Sequence, residues 1–168
     1  KDEYTRANDV AIDPQNPQIV YAALWQQQEG FAEDLSFGAP TGGIFKSTDG
    51  GSTWQQLSGG LPAIVEANLG LAPSNPNVIY ATVAAGAAPG QRRGPGVELY
   101  KSTDAGATWA VASHDPRPMG RIGGGDVPTL AVDPKNENVI YDCSTVFWRS
   151  EDGGATWSAV RGSPGGDD

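Results

Sequence analysis

Three aspartates recur in one setting. Asp49, Asp104 and Asp152 each occupy the third position of an eight-residue box, SxDxGxTW, which spans Ser47 to Trp54, Ser102 to Trp109 and Ser150 to Trp157. A carboxylate repeated at fixed spacing could ligate a metal or move protons. The residues around it offer a plainer task. Ser47, Ser102 and Ser150, with the Asp side chains, can accept hydrogen bonds from nearby backbone N–H groups. Gly51, Gly106 and Gly154 supply backbone freedom, and Trp54, Trp109 and Trp157 bring a large apolar body into the space between repeated units. Since turn building accounts for every box residue, the expectation is a structural box. Ala105 replaces Gly in the second copy and Glu151 replaces Thr in the third, so those two positions read as the less constrained ones.

Other chemistries are thinner. His114-Asp115 invites a triad with a distant Ser, but adjacent residues of an extended chain seldom point at one another and no GxSxG elbow exists. One His, one Cys and no spaced acidic loop leave no metal-ligand set, and no cofactor is expected. Gly120 to Asp126 is rich in glycine but opens no helix, so it reads as a flexible link and not as a phosphate cradle. Cys143 is expected to be a small buried strand residue.

The elements that must position these residues also repeat. Val10 to Tyr21 places two β-rich runs around a turn dense in Asp, Pro and Asn, and the pattern returns as Leu69 to Tyr80 and Leu130 to Tyr141. These runs are strands A and B. A third strand follows as Gly43–Lys46, Val97–Lys101 and Val146–Arg149, and the ThrTrp of each box is expected to start a fourth, ending near Leu57, Val111 and Val160. Lys46, Lys101 and Arg149 hold one repeated position and are expected to offset the box carboxylates rather than to form a basic stripe. Four antiparallel strands per repeat are the unit of a β-propeller blade. The fold class is therefore all-β: a propeller segment of about three four-stranded blades, at about 5–60, 61–115 and 116–163, belonging to a larger propeller whose remaining blades are its partners.

Alternating strands send the A–B and C–D turns to one end of each blade and the B–C loops and D–A links to the other. From the strand B Tyr to the box Ser is 26, 22 and 9 residues in the three repeats. The first two repeats thus carry insertions, Gln26 to Gly42 and Ala84 to Gly96, and the link Ala112 to Thr129 is also long. Variable loops on a constant scaffold are where binding usually resides. Ligand-binding candidates there include Arg92, Arg93, His114, Arg117 and Arg121.

Composition narrows the class. Gly 23 and Pro 13 suit tight turns between short strands. A net charge of −9 disfavours nucleic acid and anionic membranes as partners. The chain opens on Lys1 with neither a signal core nor a membrane span, so no direct membrane insertion is expected and it reads as a processed or excised fragment.

SxDxGxTW resembles the Asp-box, or bacterial neuraminidase repeat, and the coupled DPxNPxxVY strand pair resembles the sortilin/Vps10-like and xyloglucan-hydrolase-like propellers. That resemblance covers nearly the whole chain and implies export: a secreted, periplasmic or cell-surface place. It is shared by enzymes and by pure binders, so activity has to be argued from a site. A sialidase would imply an arginine triad; Arg6, Arg117 and Arg121 precede strand A segments without a motif that marks them as one. A xyloglucanase-like hydrolase implies two carboxyls across a cleft, about 5 to 9.5 Å apart. Glu29, Glu33, Asp34 and Asp126 are its candidates, with Glu66, while Tyr4, Trp25, Phe31 and Phe37 could stack on sugar rings, Trp25 being better placed to pack under its loop. No carboxyl stands in an alignable motif. The expected function is a non-catalytic module binding a protein or glycan through the B–C and D–A loops. The alternatives are a piece of a secreted glycoside hydrolase acting on polysaccharide, and an assembly subunit of a larger complex.

Overall fold

The computed structural model describes residues 5–26, 42–87, 96–120 and 127–161. They form twelve strands: β1 (Thr5–Ile12), β2 (Val20–Gln26), β3 (Gly43–Ser47), β4 (Gln55–Leu57), β5 (Ile64–Leu71), β6 (Ile79–Ala85), β7 (Val97–Ser102), β8 (Ala110–Ser113), β9 (Thr129–Asp133), β10 (Asn136–Cys143), β11 (Phe147–Ser150) and β12 (Ser158–Arg161). Three antiparallel sheets result, β1–β4, β5–β8 and β9–β12, each with its strands side by side in chain order. No helix occurs among the described residues, and the all-β segment of four-stranded sheets is the observed fold.

Each A–B turn is closed by an aspartate or asparagine. Asp13 Oδ1 accepts the Gln15 and Asn16 amides, and Asp133 Oδ1 accepts those of Lys135 and Asn136. The box then folds onto this turn: the Gly50 amide donates to the Gln18 carbonyl, Ala105 to Asn77 and Gly153 to Asn138, at 2.8 to 3.0 Å. Both regular turns therefore share one end of every sheet.

Within the box, Ser47 Oγ donates to Asp49 Oδ1 and accepts the Gly51 amide, while the two Asp49 oxygens take the Thr53 amide and hydroxyl at 2.8 and 2.6 Å. The second and third boxes repeat these bonds. The Thr hydroxyl, then the Thr amide, hold each carboxyl down at about 2. The stability this lends is present above about pH 4 and is lost as pH falls towards 2. These bonds also correct the expected start of the fourth strand. Thr and Trp are consumed in closing the turn, so the strand begins one residue after Trp, at Gln55, Ala110 and Ser158.

Neighbouring sheets pack through alternate residues. Tyr21, Ala23 and Ile44 of the first sheet meet Ala67, Leu69, Ile79, Ala81, Tyr100 and Trp109 of the second. Tyr80 and Leu99 of the second meet Ile140, Trp148 and Trp157 of the third. The box Trp fills the seam with the preceding sheet, leaving Trp109 and Trp157 6% and 8% exposed, whereas Trp54, with no preceding sheet described, is 43% exposed. The A strands also sit side by side, and polar groups tie them. Asp9 Oδ2 accepts the Leu69 amide, Asn8 donates to Ala67 and Asn68, and Asn68 donates to the Val127 and Pro128 carbonyls.

The repeated cations do something other than offset their own boxes. Lys46 Nζ lies 5.4 Å over the Tyr21 ring, and both groups donate to the Ala105 carbonyl in the next sheet's turn, at 3.0 and 3.1 Å. Lys101 lies 5.1 Å over Tyr80; Tyr80 donates to Glu137 O and Lys101 to Asn138 Oδ1 of the third sheet. Only Arg149 pairs with a box carboxylate, that of Glu151. Each Tyr–Lys pair is thus a latch onto the following blade.

The latch also corrects the expectation that position 105 is loosely constrained. Ala105 has φ 55, the left-handed conformation that Gly50 and Gly153 supply at the same place. That conformation costs an L-residue about 1–2 kcal/mol. Ala105→Gly, with backbone and latch carbonyl kept, is expected to raise stability by up to about 1 kcal/mol after the entropy of the added glycine is subtracted. Urea unfolding of the two proteins measures the difference; a loss of stability would contradict it.

Candidate functional site

The end opposite the boxes gathers the irregular chain. It receives the β2–β3 and β6–β7 connections, the β4–β5 and β8–β9 links, and the tight β10–β11 turn, where the Ser144 amide donates to Val146 O. Some insertion residues are strand: Gln26 ends β2, Ala84 and Ala85 end β6, and Ala112 and Ser113 end β8. Tyr4, Glu29, Phe31, Glu33, Asp34, Phe37, Arg92, Arg93, Arg121 and Asp126 lie outside the described residues.

Trp25, near the end of β2, packs half-buried against Val65, Ala84 and Val127. Glu66 is buried within β5 and is engaged there. His114 is open to solvent, its side chain 80% exposed, with Nδ1 3.3 Å from Glu98 Oε1; Tyr100 donates to the other Glu98 oxygen. Burial, then Glu98, push the Tyr100 hydroxyl up to about 12, so it remains a donor. His114 and Asp115 do not act on one another. Asp115 instead grips the Arg117 guanidinium with both oxygens, which holds its own carboxyl below the usual range.

That grip sets the course of the link. Arg117 lies 5.3 Å over the Trp148 ring, and Pro118 and Met119 are buried beside it, so the residues after β8 cap the seam between the second and third sheets. On the third sheet stands Asp142, a carboxyl that belongs to no motif of the sequence. It stands on β10 opposite Trp148 of β11 and Leu130 of β9, two residues from Ile140, and strand alternation turns it with Ile140 towards the second sheet. It is 0% exposed, and among the described residues neither carboxyl oxygen has a hydrogen-bond partner, nor does the Trp148 indole N–H. Burial pushes the Asp142 carboxyl up to about 8. The signal was available by comparing repeats, because Ala22 and Ala81 fill the same position in the other two sheets.

Chemically, Asp142 is a carboxylic acid that keeps its proton at neutral pH, the state a general acid requires. It is sealed, so in this arrangement it touches no solvent. Among the described residues no group of three or more His, Cys, Asp or Glu could hold a metal ion. No described helix is long and apolar enough to cross a membrane. Cys143, expected buried, is exposed: its side of β10 faces away from the second sheet, where no described sheet covers it.

Asp142 makes stability depend on pH with a known sign. The folded state keeps the proton until about pH 8, whereas the unfolded chain releases it near 4, so stability is full below about 4 and falls as pH rises to 8, by at most about 1.4 kcal/mol per unit. Asp142→Ala, the residue of the sister sheets, is expected to stabilise, with a gain that grows between pH 5 and pH 8 in urea titrations. An equal gain at both pH values would contradict this account.

No family model matches the chain. Among curated proteins it is 30% identical to a xyloglucanase of a Paenibacillus species, over 94% of this chain and 16% of that protein. It is 27% identical to a xyloglucanase of Acetivibrio thermocellus, over 98% and 21%, and 29% identical to one of Hypocrea jecorina, over 93% and 20%. The chain thus spans about a fifth or less of the length of these relatives. Among solved structures, a GH74 enzyme of Niastella koreensis superposes with a TM-score of 0.63 at 22% identity, over 92% of this chain and 22% of that one. YCF48 of Cyanidioschyzon merolae superposes at 0.61 with 14% identity, over 95% and 38%. These likenesses, with the three successive four-stranded sheets, identify the fold as a segment of a β-propeller.

Proposed function

We propose that the chain is a three-blade part of a secreted glycoside hydrolase of the Asp-box propeller type, acting on a polysaccharide of the xyloglucan class. One observation carries the reading: curated proteins that align with 93% or more of the chain are xyloglucanases. This weighs against the non-catalytic module favoured by the sequence, and supports the xyloglucan-hydrolase side of the resemblance rather than its sortilin side. A secreted location fits a substrate that lies outside cells.

The architecture is compatible with this role. Box carboxylates are occupied by their own turns, which leaves carbohydrate chemistry to the opposite end. From the sequence, Glu29, Glu33, Asp34 and Asp126 are the candidate acid, base or nucleophile, with Tyr4, Phe31 and Phe37 as candidate sugar platforms. Glycoside hydrolysis divides the work between a protonated and an ionised carboxyl. Asp142 has the proton and lacks the access, so it is not one of the candidates for this division.

The test is incubation of the encoded polypeptide with xyloglucan and with other plant and microbial polysaccharides, following new reducing ends. Turnover is expected on xyloglucan. At least one of Glu29→Gln, Glu33→Gln, Asp34→Asn and Asp126→Asn is expected to lower it by about 10²-fold or more, the usual effect of losing a general acid or base. Binding without turnover on every substrate would overturn the hydrolase reading in favour of a glycan-binding module.

A further inference from the structure

His114 is held from two directions although its side chain is 80% exposed. Its ring is fixed through Glu98: one carboxyl oxygen lies 3.3 Å from His114 Nδ1, and the other accepts the Tyr100 hydroxyl at 3.1 Å. Tyr100 in turn is 6% exposed, anchored in the core between the first and second sheets. The backbone around His114 is fixed by its neighbours. The Asp115 amide donates to Ser113 Oγ, which also takes the Trp157 indole N–H, and the Arg117 amide donates to Asp115 Oδ1. A carboxylate only accepts, so Nδ1 carries the ring proton and Nε2 is left as an acceptor at the irregular end of the sheets.

The blade does not need this arrangement. Counted back from the box Ser, Gly43 and Val146 stand where Glu98 does, and Phe45 and Trp148 where Tyr100 does. Counted on from the box Trp, Gly59 and Gly162 stand where His114 does. Hydroxyl, carboxyl and imidazole therefore come together in the second repeat alone. An ion pair this exposed adds little stability, while ordering an imidazole costs side-chain entropy. A polar group oriented at such a cost, where the sister sheets have none, fits a place prepared for a ligand.

The groups on display specify that ligand. A neutral imidazole nitrogen takes a hydrogen bond from a donor such as a hydroxyl. The Glu98 carboxylate beside it and the net charge of −9 disfavour an anion, and the Asp115 carboxylate is already occupied by Arg117. We propose that His114 Nε2 accepts a hydrogen bond from a hydroxyl of a neutral glycan, which makes the start of the β8–β9 link a saccharide subsite with Glu98 and Tyr100 as its positioning residues. The proposal rests on a glycan being the protein's ligand and does not require that the glycan be cleaved.

The test is NMR of the imidazole nitrogens of the encoded polypeptide, titrated with xyloglucan oligosaccharides, the resonances missing from His114→Ala identifying His114. The Nδ1–H tautomer is expected, with an Nε2 resonance that shifts and saturates as oligosaccharide is added. His114→Ala is expected to weaken binding about fivefold, the usual effect of losing one neutral hydrogen bond, and His114→Gln, whose side-chain carbonyl can accept the same bond, to weaken it less. Glu98→Ala is expected to mix the tautomers and weaken binding, and to have no further effect once His114 is Ala. An Nε2–H tautomer, an Nε2 resonance unmoved by the oligosaccharides, or full affinity in His114→Ala would each overturn the proposal. Binding that depends on His114 without turnover would uphold it and sink the hydrolase reading, whereas turnover and affinity both unaffected by His114→Ala would do the reverse.

Discussion

A twisted four-stranded sheet with two apolar faces has to be covered on both, and this requirement governs the structure. Alternation along β6 shows how it is met. Ile79, Ala81 and Val83 turn to the first sheet, while Tyr80, between them, turns to the third. Apolar packing alone is indifferent to small slides of one sheet over another. The Tyr–Lys pairs remove that freedom, because each must find oxygens in the neighbouring turns. Desolvation, then Asp13, push the Tyr21 hydroxyl up to about 12, so it stays a donor throughout the physiological range. At the inner edge Asn8, Asp9 and Asn68 fix the A strands in the same way. The seam is thus greasy in its middle and registered by polar groups at both ends.

With the turn end committed to registration, the opposite end is released for variation. The boxes hold their carboxylates ionised and saturated with hydrogen bonds, which makes them poor acids and poor ligands. Asp142 is their opposite: buried, unpartnered and protonated, in a place where two sister sheets use alanine. A group that costs stability and that the fold does without elsewhere is a candidate for function on physical grounds. The register partner of Asp142, Trp148, is in turn covered by the Arg117 guanidinium.

Much of this was legible in the sequence, since three copies of a pattern average out local accidents. Strand order, the shared end of the two regular turns and the segregation of insertions all follow from the repeat. What was not legible depends on neighbours. Lys46 and Lys101 precede an aspartate in sequence, yet their chains run along a tyrosine ring to the next sheet. Cys143 has a strand residue's surroundings in the sequence and an open face in space. Ala105 looked like drift from Gly but retains glycine's conformation. Asp142 stands in no shared motif, and its signal lies in a disagreement between repeats, where Ala22 and Ala81 give way to a carboxyl.

The central claim is that the Tyr–cation latch couples one sheet to the next, and Tyr80→Phe with native-state hydrogen exchange tests it most directly. Removing one hydroxyl bond is worth about 1 kcal/mol. The account predicts that amide protection falls together in the second sheet's β6 and in the third sheet's turn around Glu137 and Asn138, with the third sheet opening as a unit. Loss of protection confined to the residues flanking position 80, with the third sheet unchanged, would contradict it.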